Sequence, residues 1–367
     1  MAGADVKTPA TAQAATRRGA VRARVEHALR PWRRANPMAR WLVIVGAAIT
    51  LSFAFLAAFP GVVAPYDEAQ YRFVEGTSDD PAQVEGQCGA DFECIQIPRR
   101  IGPDEGFPFG TTSARLDVFS RVVQGAEVAF AIVLLSTALA MGIGVPLGLF
   151  SGYRGGKLDR VLVTLMDAVY VIPGLLLAII VAFVLQRHFA PGLASAAVAV
   201  GVVYIPQYYR VLRNHTLSVR EEPFVEAARS MGAKPRTVIG RYVFFNVVQS
   251  VPVIFTLNAA DAVLTLAGLG FLGYGVPFPQ AEWGLDVSRA LTDVVSGFWW
   301  TAFWPGLAIM LLVTGLTLVG EGLNDIINPL LRVKGYRGRV PRRDEPTPEA
   351  EAATETTGSE TLKRETA

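Results

Sequence analysis

Six runs of apolar residues divide this chain: Trp41 to Val63, Ala126 to Phe150, Val161 to Leu185, Leu193 to Tyr209, Val243 to Phe271 and Phe298 to Gly320. A helix needs ~20 predominantly apolar residues to cross a bilayer, where no water can satisfy its backbone. A soluble chain with 51% hydrophobic residues would spread them periodically over one or two cores instead of collecting them between charged loops. The fold class expected is an all-α membrane protein with six transmembrane helices. The near-zero net charge says little, because the charges are segregated along the chain.

That segregation predicts orientation, since lysine and arginine favour the cytoplasmic side. Arginines crowd the arm before the first run, from Arg17 to Arg40. Arg154, Lys157 and Arg160 follow the second run, and Arg210, Arg213, Arg220, Arg229, Lys234, Arg236 and Arg241 flank the connection after the fourth. Arg332 to Arg343 follow the last. The remaining connections are acidic or poor in base. Both termini and the loop Asn214–Asn246 are therefore expected in the cytoplasm, with the chain in the plasma (inner) membrane. The first run is too long and too far from Met1 for a cleaved signal peptide. Residues 1–39 read as a disordered basic arm, 40–66 as the first span and 333–367 as a disordered tail. Neither a folded basic surface nor aromatic platforms accompany the arm, so no nucleic-acid partner is expected.

The loop NHTLSVREEPFVEAARSMGAKPRTVIGRYVFFN is too polar for a bilayer and too well patterned for slack linker. Pro223 suits the first turn of a helix, where its missing N–H would go unused, and Glu222 before it marks the start. Gly232 supplies a left-handed stop. A short surface helix is expected, with Ala227 and Ala228 forming a flat patch for close approach by another protein. Glu226-Ala227-Ala228, three residues, then Gly232 resembles the EAA loop of ABC-importer permeases, whose helix docks into a cleft of an ATPase subunit. The resemblance makes Phe224, Glu226, Ala227, Ala228 and Gly232 the ATPase-coupling residues. The family continues to an Ile-Leu-Pro-like triplet; here Val243-Phe244-Phe245 stand there without the proline.

Four further segments resemble the C-type permeases of dipeptide, oligopeptide and nickel importers, in the family's order. The first run closes on Ala64-Pro65-Tyr66-Asp67. Phe107-Pro108-Phe109-Gly110-Thr111 leads to Arg115 through Arg121, where Leu116, Phe119, Val122 and Val123 predict an interfacial helix. Leu269 through Pro277 precedes a Glu282-Trp283-Gly284 turn. Pro305-Gly306 and Gly320 through Asp325 complete the set. The resemblance implies a MetI-like type I permease core over 107–332, carrying five spans and the coupling loop 214–246, with an extra N-terminal helix. It implies a translocation pathway for di- or oligopeptides worked by alternating access. The implied partners are a second, B-type permease, two ATPase subunits that bind ATP and Mg, and an extracytoplasmic binding protein. Nickel or another small solute is the alternative cargo.

The chain is not expected to be an enzyme. Gly155-Gly156-Lys157 lacks the earlier glycine and following Ser or Thr of a phosphate loop, having Ser151 and Leu158 there. Its histidines lie outside the spans, and no span holds paired carboxylates or a metal set. An ungated channel or membrane scaffold is the rival class, and neither needs a docking helix. Within the spans, Asp167 either pairs with Arg160 or a coupling-loop arginine, or faces a polar cavity. Asn258 and Asp261 are the candidates for lining the pathway; Leu266 stands where the family often carries glutamate. The acidic insert 67–106 is either a small stapled module or a disordered loop. Cys88 and Cys94 within it are either bridged or two unpaired thiols.

Overall fold

Helix covers nearly all of the six apolar runs in the computed structural model, which describes Trp32 and residues 36–66, 99–104, 106–188 and 192–327. Helix α1 spans Pro37–Ala58, starting inside the segment expected to be disordered arm. Pro60 cannot donate to the carbonyl of Leu56, so α1 stops and a single further turn, α2 (Pro60–Val63), follows.

Helix α3 runs unbroken from Val118–Arg154, 37 residues. The separate interfacial helix expected around Leu116–Val123 is instead its opening turns. Asp117 caps the start by accepting from Ser120 N at 2.9 Å, and no residue after it interrupts the helix. At 1.5 Å per residue α3 is about 55 Å long, well beyond a ~30 Å hydrocarbon core. Gly155 and Gly156, at φ 64° and 74°, turn the chain into α4 (Gly156–Val171). These left-handed positions favour glycine.

The third run, expected as one span, is bent at Pro173 into two helices. Pro173 holds Ile172 extended at ψ 128°, and α4 meets α5 (Gly174–His188) at 94°. A proline disfavours helix at the residue before it and withholds its own N–H, and here, unlike at Pro146, Pro206 and Pro305, the helix gives way. Helix α6 (Leu193–Val219) continues well past the predicted Tyr209. Helix α7 is Pro223–Ser230. Helix α8 covers Pro235–Phe271, with a π turn at Val238–Val243 and a 3-10 turn at Val248–Ser250. Helix α9 (Trp283–Val295) was not foreseen, and α10 is Trp300–Ile327.

Among the described residues four helices (α1, α3, α8 and α10) are long and apolar enough to cross a membrane, five with the bent α4–α5 pair counted as one. Helix α6 has the length but carries Gln207, Arg210 and Arg213. Gln207 and Arg213 are half-buried, Arg213 being paired with Asp159 of α4, and Arg210 is exposed but paired with Asp167, also of α4. Gly144, Gly148 and Gly152 of α3 recur every fourth residue against α6. A Cβ there would sit 2.7 Å from Tyr208 Cβ, 2.6 Å from Tyr209 O and 2.8 Å from Arg213 O. Such small-residue seams let helix backbones touch where hydrophobicity gives lipid and protein no preference. Gly46 of α1 meets Gly315 of α10 in the same way, at 2.6 Å from Gly315 O. Ile132, Val200, Tyr208, Val263, Leu269 and Leu312 fill the core between α3, α6, α8 and α10.

The N-terminal end of α3 is tied into a polar cap. Arg121, 4% exposed, binds Asp286 of α9 and the carbonyls of Pro279 and Gln280. Trp283 Nε1 donates to Val122 O at 3.0 Å and its ring lies on Gly125. Trp300 donates to Thr111 O, and Trp304 stacks on Phe109 at 3.9 Å. The segment before the second run and the Glu-Trp-Gly turn, separate in sequence, therefore form one unit.

Candidate functional site: the surface helix α7

Glu222 is extended (ψ 143°) and Pro223 opens α7. At the other end Ala233 N bonds Ala228 O at 3.1 Å and Gly232 N bonds Arg229 O at 2.9 Å, with Gly232 at φ 81°. That pair of bonds is a Schellman stop, and Pro235 follows it.

One face of α7 is anchored. Val225 (0% exposed) joins Leu149 of α3, Leu212 of α6 and Val238, Val243, Val247 and Val251 of α8 in a second apolar cluster, and Ala228 (1%) is buried on the same face of α7. Arg229 lies over the Tyr153 ring at 5.0 Å, and Arg220 Nη1 donates to Gly152 O at 2.9 Å. The helix is thus bolted to the ends of three long helices. This placement corrects the expected Ala227–Ala228 patch: Ala228 sits three residues from Val225, shares its face, and points inward.

The opposite face is open. Phe224, Ala227 and Met231, at i, i+3 and i+7, form one stripe, with Phe224 42% and Met231 78% exposed. Glu226 is exposed beside it. A small residue between two large apolar ones, on an otherwise charged loop, makes a notch a partner can fill. Met231 went unremarked in the sequence although the i+7 spacing was readable. The proline missing from Val243-Phe244-Phe245 has a visible consequence. The chain does not break there: α8 runs on through the π turn at Val238–Val243, and only the turn at 231–234, with Gly232 at φ 81°, separates it from α7.

The other candidates separate. Asn258 is 3% exposed, between α6 and α8 beside Tyr208. Asp261, three residues on, is exposed, and its carbonyl accepts from Thr265, whose hydroxyl meets Tyr204 Oη at 2.8 Å. Asp167 pairs with Arg210 at 2.9 Å, one of the two kinds of basic partner expected, and not with Arg160. Cys88 and Cys94 lie outside the described residues, as does most of the acidic insert. Among the described residues no cluster of His, Cys, Asp or Glu is arranged to hold a metal.

The family model described as "Binding-protein-dependent transport system inner membrane component" matches residues 144–333, which span α7 and its anchoring helices. The glutathione transport system permease protein GsiD of Pectobacterium atrosepticum is 36% identical over 63% of this chain and 75% of its own. The dipeptide transport system permease protein DppC of Alkalihalophilus pseudofirmus is 31% identical over 83% of this chain and 92% of its own. GsiD of Escherichia coli is 32% identical over 83% and 90%. The chain therefore belongs to the binding-protein-dependent transport system inner membrane components, the membrane permeases of ABC importers, which are not themselves ATPases.

Proposed function

We propose that this chain is the C-type permease subunit of an ATP-driven importer of small peptides. It works beside a B-type permease, two ATPase subunits that bind ATP and Mg, and an extracytoplasmic binding protein. The relatives' named cargoes, a dipeptide and glutathione, are both small peptidic zwitterions, which favours peptide over nickel. Both termini and α7 lie in the cytoplasm, as the distribution of Lys and Arg requires.

The observation that carries this reading is the two-faced construction of α7. Its inner face is fixed to α3, α6 and α8, and its outer stripe of Phe224, Ala227 and Met231 is left exposed among the described residues. A push on the stripe is delivered as a rigid displacement to the ends of three long helices. Closure of the ATPases around ATP would bias the bundle from an inward-open to an outward-open state, a two-state switch set by nucleotide. Asp261, exposed on α8, lines the pathway there, with Asn258 behind it.

Glu226→Arg combined with Phe224→Ala tests the coupling. The complex should lose co-purifying ATPase and at least 10-fold of its uptake, while the permease keeps its melting temperature. Nucleotide-independent flux through the purified chain would instead establish a channel. Unchanged uptake and substrate range after Asp261→Asn would remove that residue from the pathway.

A further inference from the structure

Two ion pairs link α4 to α6, and they are built differently. Arg213 grips Asp159 with both arms of its guanidinium, Nε to Oδ1 at 2.6 Å and Nη2 to Oδ2 at 2.7 Å. Ser151 and Tyr209 complete that network, and the two charged side chains are only 22% and 14% exposed. This is a mechanical clamp. Arg210 and Asp167 meet through a single 2.9 Å contact, with side chains 44% and 53% exposed. A pair of that kind stabilises by ~0–1 kcal/mol, so it adds little to a clamp already in place.

Its position nonetheless demands a reason. Asp167 lies roughly 16 Å along α4 from Gly156 at 1.5 Å per residue, among the apolar residues of the third run. Charges there are costly unless they face a water-filled cavity. The pair opens on a groove of about 470 Å³ that Tyr170, Tyr209, Arg213 and Asn214 also line, within the size range of small-ligand pockets. Tyr170 lies under the Arg210 guanidinium at 4.2 Å and fixes its plane. Among the described residues Arg210 spends one N–H on Asp167, and Asp167 accepts through Oδ1 alone. Each partner keeps hydrogen-bonding capacity.

We propose that this groove is a substrate subsite of the translocation pathway for peptides with free termini, Arg210 receiving the α-carboxylate and Asp167 the α-ammonium. The two side chains exchange their contact with each other for contacts with the zwitterion, so the site never holds an unpaired charge. The subsite rests on the peptide-importer reading above, and it names the residues that would receive the two peptide termini.

The test uses the complete importer in inverted membrane vesicles, with Cys88 and Cys94 replaced by serine and Val171→Cys as reporter. Val171 lines the groove and is 80% exposed. The rate of labelling by a charged, water-soluble maleimide is measured without peptide and with dialanine, N-acetyl-dialanine or dialanine amide. Dialanine is expected to slow labelling several-fold. Arg210→Gln should abolish that protection, Arg210→Lys should restore part of it, and the amide should protect weakly even in the parent chain. Absence of labelling, absence of protection, or equal protection by all three compounds would overturn the subsite. Dialanine uptake by whole cells carrying the same importer, measured in parallel, separates the two readings. An importer that accumulates dialanine but shows no protection loses the subsite alone; one that accumulates no peptide loses both.

Discussion

At the residue scale, the glycines of the α3–α6 seam and one buried acid give the sharpest predictions. Gly148→Ala would push a methyl to 2.6 Å from Tyr209 O, which is backbone and cannot swing aside. It should cost about 1–3 kcal/mol and lower the thermal midpoint in detergent. Gly142→Ala, in the same helix with nothing within 4 Å of its Cβ, is the matched control and should gain roughly 0.5–1 kcal/mol. Equal effects would mean the seam is not close-packed. Glu282 sits on the connection between α8 and α9, 2% exposed, accepting from Gly284 N and Leu285 N at 2.8 Å. Burial pushes its carboxyl up to about 7 from 4.5, and the two backbone bonds recover only part of that. Between those values the folded chain holds a proton that the unfolded chain has released, so stability falls as pH rises from 4.5 through about 7. Glu282→Gln should flatten that slope in melting curves; an unchanged slope would assign it to another group.

At the scale of elements, α7 behaves as two half-helices with different tasks. Val225→Ala should destabilise by roughly 2 kcal/mol, two buried methyls and the cavity they leave, and loosen coupling as a consequence. Ala227→Trp fills the outer notch, so it should leave the melting temperature unchanged while uptake and ATPase association fall together. If the two variants behave alike, the inner and outer faces are not distinct. Start, stop and surface character of this helix were legible from Pro223 and Gly232, because caps are local chemistry. The direction of Ala228 was not, because it depends on where Leu149, Leu212 and Val243 converge from three distant segments. The same distinction explains the third run. Pro173-Gly174 is a helix-breaking pair readable in the run, but the 94° between α4 and α5 is not. Helix α9 escaped notice although Glu282 is a capping residue, because its buried face is completed by Arg121, Val122 and Gly125 of α3.

At the scale of the whole molecule, the two ends of α3 are built for opposite purposes. The N-terminal end is locked by Arg121, Asp286 and Trp283 into a cap of buried hydrogen bonds. The C-terminal end carries α7, held by apolar contacts and one cation–π pair and open to solvent on its far side. The apolar runs and their basic flanks revealed the membrane class and the proposed orientation; the glycine seam joining α3 to α6 appears only when both helices are seen together. The most direct test is a cross-link in the purified complex from Ala227→Cys, with Val225→Cys as buried control. A short thiol-reactive linker should join Ala227→Cys to an ATPase subunit with an efficiency that changes on adding ATP, and Val225→Cys should give no product. An adduct absent at Ala227→Cys, or label reaching it only from the extracytoplasmic side, would contradict the lever.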